Sequence, residues 1–187
     1  MARPRLTGAL LVGGASSRFG SPKALALLDG ETLAERAWRI LGGVCDERIA
    51  VGKRGDGLRL PFALVDDGTR VRAPIAGVVA SLRAASHEVC LVLPVDCPLV
   101  TPALLLELAE ACRRADVALP QTGPLPGAYR RSALPLLELR LAEGSFALHE
   151  ALQELAVEIV PCNTRLLANV NVPADLGRLA QPSRRSR

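Results

Sequence analysis

The chain has 187 residues, room for one domain and rarely for two, and its 49% hydrophobic and 22% charged content excludes general disorder. Aromatic residues make up only 3%, so Leu, Val, Ile and Ala must build the core, and platforms for stacking single-stranded bases are excluded. Of the net charge of +4, three units belong to Arg184, Arg185 and Arg187 in a tail over 181–187 that is expected to be disordered. The body is therefore close to neutral, and a nucleic-acid footprint would need a basic stripe on it.

Other classes fall away on similar grounds. No run approaches the roughly 20 apolar residues of a membrane span, and the first apolar run is too short for a secretion signal. The five cysteines (Cys45, Cys90, Cys97, Cys112, Cys162) show no CxxC spacing, and the two histidines, His87 and His149, lie far apart. Neither a zinc site nor a disulfide framework is expected. The cysteines read as small buried apolar residues in a reducing cytoplasm. The expectation is a cytoplasmic protein, monomer or weak oligomer, with residues 1–180 as one domain.

Along the chain, short apolar runs alternate with helical patterns. Leu6–Val12 is a buried-strand candidate that ends in Gly13-Gly14. Thr32 and Glu35 form a capping-box pattern, after which Leu33, Ala37, Ile40 and Leu41 share a helical face. Strands are expected at Arg48–Val51 and Phe62–Val65, and a helix over Pro74–Ala85. Glu88–Val95 is nearly continuously apolar, as a central strand buried on both faces requires. Thr101-Pro102 opens a helix to about Arg114, with an N-cap followed by proline at the first helical position. Then come strands at Val117–Leu119 and Ala128–Arg131, and helices over Pro135–Leu141 and Phe146–Leu155. A strand at Val157–Val160, an extended segment at Leu166–Asn171 and a helix over Pro173–Leu179 complete the pattern. Strands separated by helices imply an α/β fold: a mostly parallel sheet with helices on both faces. Ligands of such sheets bind beyond the carboxyl ends of the strands.

Two of those ends hold unusual residues. Between Gly13 and Lys23 lie three glycines, three serines and the cations Arg18 and Lys23, a loop whose backbone N–H groups can wrap an anion. It matches neither the Walker pattern nor G-x-G-x-x-G. Arginine occurs 21 times and lysine only at Lys23 and Lys53, so a lysine in this loop points to a use for its compact charge. At the end of the central strand, Asp96 in Pro94-Val95-Asp96-Cys97-Pro98 has no helix to cap, and a hard cation such as Mg²⁺ is a sensible ligand for it. In Asp66-Asp67-Gly68 either aspartate could contact a nucleotide or support a metal, and a tight turn explains both nearly as well. Asn169 and Asn171 alternate on one side of an extended segment, where they suit a ligand or, for Asn171, a helix cap.

Taken together, these residues resemble a family. Leu11-Val12-Gly13-Gly14-Ala15-Ser16-Ser17-Arg18-Phe19-Gly20, with Lys23, is similar to the LAGGxSxRMG…K signature of nucleotidyltransferases with a GT-A-like, three-layer Rossmann-like fold. Pro74-Ile75-Ala76-Gly77, Pro94-Val95-Asp96-Cys97-Pro98 and Asn169-Val170-Asn171-Val172-Pro173 resemble further motifs of the molybdenum cofactor guanylyltransferases. The resemblance runs from about residue 6 to 179. It implies transfer of GMP from GTP to the molybdenum–molybdopterin cofactor, with Mg²⁺ and release of pyrophosphate. It also implies that Leu11, Val12, Gly13, Lys23, Asp67 and Asp96 bind GTP. Asp96 would hold the metal, Arg18, Lys23 and Asp96 would act in catalysis, and Gly14, Ser16, Asn169 and Asn171 would be further ligand contacts. Molybdenum-insertion proteins and molybdoenzyme chaperones would be partners, and neither nucleic acid nor membrane would. Val12 replaces the family's alanine, Phe19 its methionine and Ala73 its glycine. Where the family often has an asparagine near the nucleotide, this chain reads Val51-Gly52-Lys53. The competing readings are a cytidylyl or other nucleotidyl transferase of this fold, and a nucleotide-binding adaptor without turnover.

Overall fold

Strand β1 (Leu6–Leu11) is buried along its whole length and lies inside a seven-stranded sheet, third from one edge. The computed structural model describes residues 5–13, 19 and 22–180. The sheet order is β5 (Leu64–Asp66), β4 (Glu47–Gly52), β1, β6 (Val89–Pro94), β8 (Gly127–Arg130), β7 (Val117–Pro120) and β9 (Val157–Val160). Every pairing is parallel except the two made by β8, which runs antiparallel to β6 and to β7.

Side-chain alternation divides the core in two. From β1, Leu6 and Leu10 pack on one face with α1 (Leu33–Gly42) and α3 (Pro102–Ala111). Ala9 and Leu11 pack on the other with α2 (Pro74–Ala84), α4 (Leu134–Ala142) and α5 (Leu148–Ala151). Strand β6 repeats the division, Leu91 and Leu93 on the first face and Cys90 and Val92 on the second. Full burial of each such leucine contributes roughly 1.5–3 kcal/mol. The three-layer, mostly parallel architecture expected from the sequence is the one that forms.

The helix starts follow local chemistry. Thr32 accepts from the Glu35 N–H while the Glu35 carboxylate accepts from the Thr32 N–H, and Thr101 accepts from the Leu104 N–H ahead of Pro102. Other elements depart from expectation. The third strand is Leu64–Asp66 rather than Phe62–Val65, because Phe62 stacks on Trp38 of α1 with ring centroids 4.1 Å apart. The helix expected over Phe146–Leu155 is only Leu148–Ala151 and continues as a 3-10 turn, Leu152–Glu154. Within the segment expected to be extended from Leu166, residues Thr164–Leu167 form a 3-10 turn. A two-residue hairpin, β2 (Leu27–Leu28) with β3 (Glu31–Thr32), precedes α1 and was not expected. Its turn residues Asp29 and Gly30 have φ of 54° and 83°, the positive values that this tight turn demands.

A carboxylate helps to tie the amino edge of the sheet. Glu47, opening β4, accepts from the Thr7 hydroxyl of β1 and from both the N–H and the hydroxyl of Ser86. Burial alone would raise its pKa, but the Thr7 and Ser86 hydrogen bonds, with His87 nearby, outweigh it and lower the pKa from the ordinary 4.5. A carboxyl held down in the folded state stabilises above its unfolded pKa, and that stabilisation is lost as pH falls through the folded value. Glu47→Gln is thus expected to be less stable than the wild type at pH 7, with the gap closing in acid. Chemical denaturation of both proteins between pH 7 and pH 3 checks this. A gap independent of pH would contradict it.

Candidate active site

The carboxyl edge of the sheet holds a cavity of about 340 Å³. It opens at the ends of β1, β4 and β6, and beside the start of α2. From β1 the chain crosses to β4 and β5 on one side and returns to β6 on the other, so the cavity lies at the switch point of the topology. The start of α2 adds to its electrostatics. Its N-cap is Ala73, which offers no side-chain acceptor, and Pro74 occupies the first turn. The positive end of this helix therefore faces the cavity without a capping oxygen of its own.

Asp96 lines the cavity, and Lys23, which with Asn171 lies just outside the lining, meets it there. The Lys23 Nζ lies 3.2 Å from Asp96 Oδ2 and 3.5 Å from Asn171 Oδ1. Lys23 opens a 3-10 turn pinned by the buried Ala24 and by the bond from the Ala26 N–H to the Lys23 carbonyl. Asp96 follows β6, where the Val95 N–H still bonds the Leu11 carbonyl, so its position is set by the two central strands. Its own carbonyl accepts from the Val170 N–H at 2.8 Å. Next to it, burial and then the Asp96 carboxylate push the Cys97 thiol well above its usual range, which keeps it protonated. That thiol donates to Asn169 Oδ1 at 2.9 Å. The segment carrying Asn169 and Asn171 is thus fastened to the Asp96 turn at two points.

The two roles left open for Asn171 separate here. The cap of α6 (Pro173–Ala180) comes from Asp175, whose Oδ2 accepts from the N–H groups of Asn171 and Val172. Those two bonds hold its carboxyl below the ordinary 3.8. The Asn171 side chain instead turns to Lys23.

On the β4–β5 side a second pair forms. Lys53 Nζ contacts both Asp67 oxygens at 2.9 Å and the Thr69 carbonyl at 2.7 Å. The two aspartates that the sequence left equivalent have different tasks. Asp66 accepts from the N–H groups of Arg54 and Gly68 and holds the turn, whereas Asp67 lines the cavity.

The remaining candidates sort as follows. Leu11, Gly13 and Asn169 line the cavity. Val12 does not: its side chain is buried in the first core face, and its N–H bonds the Val51 carbonyl. A Cβ on Gly52 would meet Val12 Cγ2 at 2.9 Å, so this glycine makes room for the larger residue. Phe19 is buried in the same core, and Ala73 has φ of −134°, a value open to any residue. Gly14, Ser16 and Arg18 lie outside the described residues. Sequence reasoning passed over Lys53 as a site residue, although the scarcity of lysine that singled out Lys23 applies to it equally. Among the described residues no group of three or more His, Cys, Asp or Glu side chains could hold a metal ion. Asp96 with the amide oxygens nearby is an all-oxygen set, which fits a hard cation whose other ligands are phosphates and water.

Residues 8–159 match the profile of the MobA-like NTP transferase domain. The chain belongs to this family. A "Probable molybdenum cofactor guanylyltransferase" of Deinococcus radiodurans is 34% identical over 182 residues, 94% of each chain. One of Chloroflexus aggregans is 32% identical over 190 residues, 91% of each chain. The crystal structure of molybdopterin-guanine dinucleotide biosynthesis protein A from Archaeoglobus fulgidus superposes with a TM-score of 0.80 at 26% identity, covering 92% of this chain and 95% of that one. A cytidylyltransferase from Thermus thermophilus, that for 2-C-methyl-D-erythritol 4-phosphate, reaches a TM-score of 0.74 at 19% identity over 92% and 96% of the two chains, a likeness of fold alone. In this MobA-like NTP transferase the family match thus runs from within β1 into β9 and includes both lysine–aspartate pairs and the cavity lining except Asn169.

Proposed function

We propose that the chain transfers GMP from GTP to the molybdenum–molybdopterin cofactor, forming the guanine dinucleotide and releasing pyrophosphate. The observation that carries this reading is the Lys23–Asp96 pair at 3.2 Å, placed beyond the paired ends of β1 and β6 at the switch point. The relatives named above supply the substrate class.

The chemistry follows from charge. The cofactor's terminal phosphate attacks the α-phosphorus of GTP in line, and the bond to the pyrophosphate oxygen breaks. That nucleophile is already ionised at neutral pH, so no general base is required. Neither histidine is near: His87 bonds Thr7 at the amino edge, and His149 lies on α5. The work left to the protein is to bring two anions together and to absorb negative charge. Lys23 does this for the GTP phosphates, exchanging its contact with Asp96 for phosphate oxygens. Gly13 leaves an open approach to the backbone at the end of β1. Asp96, with Asn171 beside it, would hold Mg²⁺. When bound, Mg²⁺ neutralises phosphate oxygens and stabilises the charge that develops on transfer. We place the reaction in the cytoplasm, a setting that five cysteines free of disulfides fit.

The test is pyrophosphate release with Mg²⁺, molybdenum-loaded molybdopterin and each of the four NTPs in turn. Release with GTP well above the other three is expected. Release with CTP instead would overturn the base assignment, and silence with all four despite GTP binding would overturn transfer itself.

A further inference from the structure

Of the two lysine–aspartate pairs at the cavity, the proposed reaction uses only Lys23 and Asp96. The other is the more deeply set, with side chains 14% exposed for Lys53 and 8% for Asp67. An ammonium has three donors, and here three acceptors meet it: both oxygens of Asp67 and the Thr69 carbonyl. One N–H shared by the two Asp67 oxygens and another given to the Thr69 carbonyl fix the Lys53 ammonium against this turn. Asp67 is held further by its Oδ1, which accepts from the Thr69 N–H at 3.1 Å, and by its own N–H, which bonds the Gly52 carbonyl. A carboxylate offers about four acceptor positions. Lys53 and Thr69 occupy three, two of them on Oδ1, so the free one is on Oδ2 of a residue that lines the cavity.

We infer that Lys53 is a positioning residue for nucleotide selection, clamping Asp67 so that its one free acceptor takes a single N–H or O–H donor of the bound nucleoside triphosphate. The inference rests on the GTP reading above. A fixed acceptor discriminates where a mobile one does not, because a ligand lacking the matching donor leaves the buried oxygen unpaired. The pairing also removes a net negative charge from a cavity that must admit phosphates.

The experiment is calorimetric binding, without acceptor, of GTP, inosine triphosphate, 2′-deoxy-GTP and 3′-deoxy-GTP. Inosine triphosphate lacks the 2-amino donor and the deoxy nucleotides lack ribose hydroxyls, so the arms separate base from sugar. The proteins are the wild type, Lys53→Met, Asp67→Asn and the double variant. The wild type is expected to bind at least one analogue about fivefold or more weaker than GTP. In Lys53→Met that ratio should fall to within about twofold, as in Asp67→Asn, and the double variant should show no further loss. Ratios unchanged in Lys53→Met, no discrimination by the wild type, or losses that multiply in the double variant would each overturn the inference. If either single variant fails to fold, the double leaves no unpaired buried charge and carries the same comparison. Because only binding is read, a failure of GMP transfer would leave these ratios to decide this inference separately.

Discussion

Asp96→Ala is expected to lower pyrophosphate release by about 10²–10³-fold, the usual consequence of removing one preorganised electrostatic contact from a transition state. It should do so in a protein that still folds. The Asp96 backbone carbonyl, not its side chain, bonds Val170, and the Cys97–Asn169 bond does not pass through the carboxylate. The side chain is 28% exposed, so its removal opens no large internal void. Steady-state rates with saturating GTP, beside thermal melts, separate the two effects. Asp96→Asn keeps the shape and removes the charge, and it should be nearly as inactive. Turnover within a few-fold of wild type in either variant would remove Asp96 from the reaction.

Lys23→Ala should act mainly on nucleotide binding. A hydrogen bond to a charged group contributes about 1.5–3 kcal/mol, so the Kd for GTP should rise about 10- to 100-fold. Some of that loss has a second source. With Lys23 absent, Asp96 stands without its 3.2 Å partner and presents an uncompensated negative charge to incoming phosphates. Lys23→Arg should recover only part of the affinity, since a planar guanidinium does not replace a compact ammonium between Asp96 and Asn171. Calorimetric titration with MgGTP is the measurement. An unchanged Kd in Lys23→Ala would contradict the assignment.

The parts of this molecule that could be read in advance are those where local pattern and tertiary packing agree. β1 and β6 are apolar at nearly every position because both faces are covered, and Thr32 and Thr101 cap their helices by chemistry confined to one turn. Misplaced elements are those where a distant contact decides. Leu58, Leu60, Phe62 and Leu64 alternate as a strand would, yet pairing begins only at Leu64, since the preceding residues pack over the α1 side of the core. The short α5 buries Leu148, Ala151 and Leu152 within little more than one turn, and a longer helix is not needed to cover that patch. The Asp29-Gly30 hairpin carried a legible signal that went unused.

The candidate site shows the same division. Lys23 and Asp96 are 73 positions apart in the chain, but each stood out beside a strand end that had to lie on one edge of the sheet. Lys53 did not, because its partner Asp67 sits at the end of the three-residue strand whose register the pattern missed. The distinction between Asp66 and Asp67 was equally out of reach, since it depends on which carboxylate the turn itself consumes.

GMP transfer at this cavity is decided by following the α-phosphate. GTP labelled at the α-phosphorus, incubated with Mg²⁺ and molybdenum-loaded molybdopterin, should pass its label to the cofactor, whereas label at the γ-position should appear in pyrophosphate. Asp96→Asn should abolish both transfers. Label reaching the cofactor from the γ-position, or GTP consumed with no α-label in the cofactor, would contradict the account.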